Sequence, residues 1–256
     1  MMDCVNFYEL DMDDWGEILL KPLQGKRYPL AAEFEITERC NLGCVHCFIN
    51  QPAGSHVQLE RELGTEQIKE ILDQIADAGC LHLLLTGGEP LLQPGFAEAL
   101  LRLAREECLT TAIETCGLAP WAAWERVLPL LNTILFDFKH INPDLHREFT
   151  GVANDLILEN LRRLIQAKAP LRIRIPLIPG FNADIQSARQ MADYLSNTLL
   201  PNMPIDLLPY HTLGRTKYTM LSRPFPWQGV EPMKFETAQS IAEIFRSRNL
   251  SVSIGG

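Results

Sequence analysis

Short apolar runs alternate along this chain with longer segments in which apolar residues recur at helical spacing. The runs Ala31–Ile36, His82–Thr86, Thr110–Glu114, Ile134–Phe138, Leu171–Leu177 and Pro204–Leu208 predict strands. Stretches near 65–78, 94–106, 120–129, 154–168, 185–197 and 234–248 predict helices. Thr65 and Asp184 stand where N-caps are expected, with Gln67 and Ser187 in the first turns. Six strand–helix repeats predict a parallel sheet in an α/β fold, a partial TIM-type (β/α)6 barrel. Residues 31–256 read as a single domain and 1–30 as an N-terminal extension.

Strand parity supports a barrel. In Leu171–Leu177 the odd positions are apolar, while Arg172 and Arg174 share the other face. In Ile134–His140, Phe136 and Phe138 alternate with Asp137 and Lys139. Helices cover the outside of such a barrel, so the apolar set should face out and the charged set should face the lumen. Burying unpaired charge costs several kcal/mol, so a charged lumen implies ion pairs or a bound polar ligand. The alternative is a sheet with one solvated face.

The chain has 256 residues and a net charge of −9, from 32 acidic and 23 basic residues. No cluster of Lys and Arg offsets that balance, which argues against a nucleic-acid partner. No apolar stretch is long enough to span a bilayer, and the acidic N-terminal region does not read as a signal peptide. A cytoplasmic protein with no membrane partner is expected. In that compartment Cys4, Cys80, Cys108 and Cys116 read as small buried apolar side chains rather than disulfides.

The remaining cysteines are Cys40, Cys44 and Cys47, spaced C-x3-C-x2-C. Thiolates ligate iron–sulfur clusters, and three of them on a cubane leave the fourth iron open for a substrate or cofactor. Zinc is the competing reading, but it wants four closed ligands, and His46 sits too close between two cysteines to complete a set. Inert thiols are the third. Downstream, Leu83–Pro90 begins as a buried strand and ends Gly87-Gly88-Glu89, at a strand end where barrel sites form. Glu89 is a candidate acceptor for an ammonium. At the next strand end Glu114 and Thr115 pair a carboxylate with a hydroxyl, which suits a hard cation, the polar groups of a ligand, or a capping turn. Asp137 and Lys139 either pair with each other or meet a ligand. His211 follows the last predicted strand and is either structural or a cofactor contact.

These motifs together resemble the radical S-adenosylmethionine (SAM) enzymes, and within them the activating enzymes of glycyl radical enzymes. The resemblance is carried by Glu114–Gly117, Phe136–His140, His146–Gly151, Leu156–Leu161, Arg174–Asn182, Leu208–Gly214 with Lys217-Tyr218, and Ile254–Gly256. It implies a radical SAM fold, one [4Fe–4S] cluster on Cys40, Cys44 and Cys47, and SAM on the open iron. It further implies SAM contacts from Gly87, Gly88, Glu89, Glu114, Asp137, Lys139, Arg174 and His211, with a monovalent cation near Glu114 and Thr115. The implied activity is cleavage of SAM and removal of hydrogen from a backbone glycine of a partner glycyl radical enzyme. A flavodoxin or ferredoxin would be the electron donor, and the protein would act as a monomer. The entry Glu35–Leu42 is instead closer to peptide-modifying radical SAM enzymes. It gives the second reading, a radical SAM enzyme acting on a small molecule or peptide.

Overall fold

The computed structural model describes residues 29–49 and 51–255. In chain order the strands are β1 (Ala31–Thr37), β2 (Arg39–Cys40), β3 (Gln51–Pro52), β4 (His82–Gly87), β5 (Thr110–Thr115), β6 (Thr133–Asp137), β7 (Leu171–Leu177), β8 (Pro204–Pro209) and β9 (Ser251–Ile254). All but β2 and β3 form one seven-stranded parallel sheet in the order β1-β4-β5-β6-β7-β8-β9. The short β2 and β3 pair with each other beside the cysteine loop. Because neighbours in the sheet are consecutive in sequence and such crossovers share one hand, the helices collect on one side. This is the expected partial barrel, with one strand more than expected. Ser251-Val252-Ser253-Ile254 is too short and too polar to announce itself as β9.

The helices are α1 (His56–Leu59), α2 (Thr65–Asp77), α3 (Pro94–Glu106), α4 (Trp121–Val127), α5 (Pro143–Thr150), α6 (Asp155–Gln166), α7 (Ile185–Ser196), α8 (Arg215–Met220) and α9 (Phe235–Arg246). Asp184 caps α7 by accepting from the Ser187 amide, as expected. At α2 the cap is Gly64 rather than Thr65, and Gln67 accepts from the Gly64 amide. The unforeseen α5 has a clear local cause. Asn142 caps it, Pro143 fits its first position, and Gly151 ends it at φ +82°.

Alternation along β7 places Leu171, Ile173, Ile175 and Leu177 in the core, under the helices, and leaves Arg172 and Arg174 half-buried on the lumen side. Trp124, Phe136, Phe138 and Phe245 are fully buried in the same core. Each such burial is worth roughly 1.5–3 kcal/mol. The expected buried thiols are found at Cys80 and Cys116. Cys108 departs from that expectation, being exposed at the end of α3 and disulfide-bonded, and Cys4 lies outside the described residues. No described helix is long and apolar enough to cross a membrane.

Three buried asparagines hold the loops at the C-terminal ends of the strands. Asn154 Nδ2 donates to the His140 and Ile141 carbonyls, and Asn182 Nδ2 donates to those of Lys139 and Pro176. Asn160 Nδ2 donates to the carbonyls of Gly117 and Ala119, at 2.8 Å each. Asn160→Ala would remove a donor from two buried carbonyls, leaving that of Gly117 only the Ala119 N–H, which costs about 1–3 kcal/mol. We expect a lower urea midpoint with an unchanged denaturant slope, read by circular dichroism.

Candidate active site

The cysteine loop runs from β2 to β3 across the C-terminal end of the barrel and is tied down on every side. At its entry Arg39 forks onto Glu62 at 2.8 and 2.9 Å, while Thr37 Oγ1 donates to the same carboxylate. Asn41 Nδ2 donates to the Leu118 carbonyl at 2.6 Å. The Gly43 and Val45 amides donate to Thr150 and Phe149 carbonyls of α5, at 2.7 and 3.0 Å. Beyond the last cysteine, Arg223 donates to the Phe48 and Ile49 carbonyls. Cys40, Cys44 and Cys47 thereby pack together with Leu42, Cys116, Leu118 and Val152.

Burial pushes the Cys40 thiol up to about 12 and the Cys44 thiol to about 11. Such thiols ionise only against a strong local cation, which is the condition for metal ligation. Among the described residues no three His, Cys, Asp or Glu side chains are gathered tightly enough for a single metal ion. A cubane spreads its ligands over separate irons, so three sulfurs lining one apolar recess fit it.

Gly87 and Gly88 have a packing role at the entry to the cysteine loop. A Cβ on Gly88 would lie 2.1 Å from the Arg39 carbonyl oxygen, and one on Gly87 (φ +120°) would lie 2.3 Å from that of Thr37. The backbone these glycines admit is the entry to the cysteine loop. Their segment is bonded to it, Gly88 N–H to Thr37 O at 2.7 Å and Glu89 N–H to Arg39 O at 2.9 Å. The Glu89 carboxylate, expected to accept from an ammonium, is engaged within the protein. Its side chain is 0% exposed, and its oxygens accept from Leu91 N–H, Thr115 Oγ1 and Cys116 N–H. Burial raises its carboxyl above the usual range, against the pull of those bonds. It supports the site from behind.

The other charged residues do converge in the lumen. Arg174 pairs with Glu114 at 2.7 Å, Thr86 Oγ1 donates to Glu114, and Lys139 pairs with Asp137 at 2.9 Å. Burial and the Asp137 charge raise the Glu114 carboxyl despite Arg174. Burial works against the Lys139 ammonium, but Asp137 and Cys44 outweigh it and hold it charged. Arg172 is taken up elsewhere, bonded by two nitrogens to buried Asp206, which also accepts from Ser253. Glu114 and Thr115, near which a cation is expected, do not present their two side chains together. Strand alternation puts them on opposite faces of β5, and the Thr115 hydroxyl is committed to Glu89.

Residues 34–192 match the radical SAM superfamily. The chain belongs to that superfamily. Its enzymes use a [4Fe–4S] cluster and SAM. The chain is 43% identical over 146 residues to the isethionate sulfite-lyase activating enzyme of Desulfovibrio desulfuricans, covering 56% of this chain and 46% of that one. It is 35% identical over 175 residues to the (2S)-3-sulfopropanediol dehydratase activating enzyme of Klebsiella oxytoca, covering 67% and 55%. The chain thus spans about half the length of these relatives. A domain of pyruvate-formate lyase-activating enzyme from Bacteroides vulgatus superposes with a TM-score of 0.57 at 32% identity, over 68% of this chain and 99% of that domain. Streptococcus suis SuiB bound to its precursor peptide shares the fold alone, with a TM-score of 0.68 at 18% identity over 93% of this chain and 51% of that one.

Within this radical SAM barrel, His211 lines a cavity of about 450 Å³ at the end of β8, together with His46, Phe48, Tyr210, Tyr218 and Trp227. Burial drives the His46 imidazole down to about 4, with the Lys139 charge adding to the effect, so it is neutral near pH 7. The structural roles of Glu62, Asn154, Asn160, Asn182 and Arg223 were not foreseen. Asn160 and Asn182 lie within segments that resemble activating enzymes, which was the available sign, whereas Glu62, Asn154 and Arg223 carry no such mark.

Replacing any of Cys40, Cys44 or Cys47 with Ala should abolish the brown colour and the iron of anaerobically prepared protein, about four irons per chain. Cys80→Ala should keep both, and iron persisting in the ligand variants would refute the cluster. Gly88→Ala should also cost iron without touching a ligand, because its methyl displaces Arg39 and the loop entry. Iron assay with a melting curve will separate that effect from global unfolding.

Proposed function

We propose that this chain is the catalytic barrel of an activating enzyme for a glycyl radical enzyme. One observation carries the reading: three of the segments resembling activating enzymes hold the cysteine loop or line the barrel mouth. His146–Gly151 supplies the Phe149 and Thr150 carbonyls that fix Gly43 and Val45. Arg174–Asn182 supplies the lumen arginine and the Asn182 staple, and Leu208–Tyr218 lines the cavity. The activating-enzyme names of relatives at 43% and 35% identity support it.

Cys40, Cys44 and Cys47 would hold three irons, and Leu42, Leu118 and Val152 would keep water from them. When bound there and reduced, the cluster would supply the electron for cleavage of SAM to methionine and a 5′-deoxyadenosyl radical, the species that would take a hydrogen atom from the partner's glycine. Glu114, Asp137, Lys139 and Arg174 offer both signs of charge to the zwitterionic methionine part and the ribose hydroxyls. Their present pairs would exchange partners with the ligand. Gly87 and Gly88 present the strand-end backbone, Glu89 braces it, and His211 lies at the far side of the mouth. Flavodoxin or ferredoxin serves as electron donor to a monomeric, cytoplasmic protein whose residues 31–256 form one domain behind a 30-residue extension. The second reading, a small-molecule or peptide substrate, is favoured by the entry segment Glu35–Leu42.

With dithionite and SAM, the protein should release 5′-deoxyadenosine and place a carbon-centred radical on its cognate glycyl radical enzyme. Electron paramagnetic resonance should show a doublet from the single remaining α-hydrogen, collapsing when that glycine is deuterated. A small metabolite that stimulates 5′-deoxyadenosine release, with no radical on any glycyl radical enzyme, would select the second reading.

A further inference from the structure

The end of the barrel opposite the cysteine loop holds a cavity of about 360 Å³, at the N-terminal ends of β1, β4, β5 and β6. Strand register brings Ala31, Glu33, Leu84, Thr110, Ala112 and Thr133 onto its lumen side. Bulky side chains usually fill a barrel at such a level, and these mostly small ones leave it hollow. Two points on its rim lead out of the described residues. At the first the chain enters: the Leu30 carbonyl accepts from the Leu81 and His82 amides at 2.9 and 3.2 Å, and the description begins at Pro29. At the second, Cys108 stands two residues before β5, exposed, disulfide-bonded and at φ +57°. Gly or Asn usually takes a left-handed position after a helix, so cysteine adopts it at a conformational cost. Thr110 N–H donates to the Leu81 carbonyl at 2.9 Å, so the strands bearing the two points are two spacings apart, about 10 Å.

We propose that residues 4–28 cross this opening as a strap, cover the cavity with their apolar positions, and are fastened to the far rim by a Cys4–Cys108 disulfide. The cysteine partner follows from a count. The chain has 7 cysteines, and Cys40, Cys44, Cys47, Cys80 and Cys116 are free, which leaves Cys4 for Cys108. The cover follows from the sequence of the segment. Val5, Tyr8, Met12, Trp15 and Leu19 recur at helical spacing, with Asp11, Asp13, Asp14 and Glu17 between them. Such a stripe needs an apolar surface to lie against. Length permits the crossing, since a chain of that size reaches about 80 Å extended and about 38 Å as one helix. Both values far exceed the separation of the rim points, so the segment doubles back over the opening between them. Disulfides in a reducing compartment are mostly redox-sensing, which makes this fastening one that oxidation closes. The two thiols give up two electrons and two protons to a disulfide oxidant such as oxidised glutathione, which leaves as two reduced thiols. With the strap closed, the lumen around Glu114 and Arg174 meets solvent only from the cysteine-loop end.

The test uses the full chain with its cluster loaded, equilibrated with oxidised glutathione under anaerobic conditions and then alkylated. Peptide mapping without reductant should recover Cys4 joined to Cys108, and Cys108→Ser should lose that linked pair. Free thiols at both positions, or Cys108 joined to a second copy of the chain, would overturn the fastening. The cover is read independently at His82, which lies on the cavity rim hydrogen-bonded to Thr110. Its carbethoxylation by diethyl pyrocarbonate, followed by mass spectrometry, should run about 5–30-fold faster in Trp15→Asp than in the unsubstituted protein. Cys4→Ser should accelerate it less, since the stripe remains. Iron content should match the unsubstituted protein in each variant, because the cluster loop stands at the other end of the strands, and this shows that the barrel is intact. Equal His82 rates in Trp15→Asp and the unsubstituted protein would overturn the cover. Rates that fall with rising protein concentration would do so too, by showing that a second copy occupies the opening.

Discussion

The site depends on one close approach between backbones. The end of β4 and the corner leading from β1 into the cysteine loop touch so tightly that neither Gly87 nor Gly88 has room for a methyl group. Two main-chain hydrogen bonds cross that contact, and the buried carboxylate of Glu89 carries it on to the end of β5. A loop of three cysteines is thereby built as a continuation of the sheet rather than as an appendage. Its position inherits the rigidity of strands whose apolar faces are wholly buried. An enzyme that must set a cluster within reach of a cofactor gains from this arrangement, because small misplacements of reacting groups are costly.

Polarity in the barrel follows a simple division. The outer face of the strands is apolar and covered by helices, while the lumen holds acids and bases in pairs, Glu114 with Arg174, Asp137 with Lys139, Asp206 with Arg172. In the last pair Asp206 is almost fully enclosed and also bonded to Ser253, so it joins β7 to β8 and β9. The first two lie nearer the mouth. Glu114 and Arg174 keep part of their surface exposed, and the raised Glu114 carboxyl shows that its surroundings do not fully neutralise it. A ligand bringing its own ammonium and carboxylate would find partners there that a closed structural pair would refuse.

Much of this was legible in the chain. Alternation in Leu171–Leu177 fixed which face of β7 is buried, and the cysteine spacing with Gly87-Gly88-Glu89 located the site on strand ends. Less legible were the partners of individual side chains. Glu89 reads as a free carboxylate until Thr115 and Cys116 are known to face it across two strands, and a strand partner cannot be read from local sequence. Glu114 and Thr115 look like a ligand pair because they are adjacent, although adjacency in a strand means opposite faces. That Trp227 lines the same cavity as Tyr218 could not be read locally, since only the packing of the segment after α8 brings it there.

The bond from Arg223 to the Phe48 carbonyl joins residues 175 positions apart. The other supports of the cysteine loop, at Leu118, Phe149 and Thr150, also lie downstream of it. As a ribosome delivers the chain from its N-terminus, the three thiols therefore emerge long before anything able to hold them in place. At about 5–20 residues per second, the wait for Arg223 is on the order of ten seconds or more. Cluster insertion into a shaped site must follow the making of most of this polypeptide, and until then the cysteines are exposed to whatever oxidants and stray metals the cell contains.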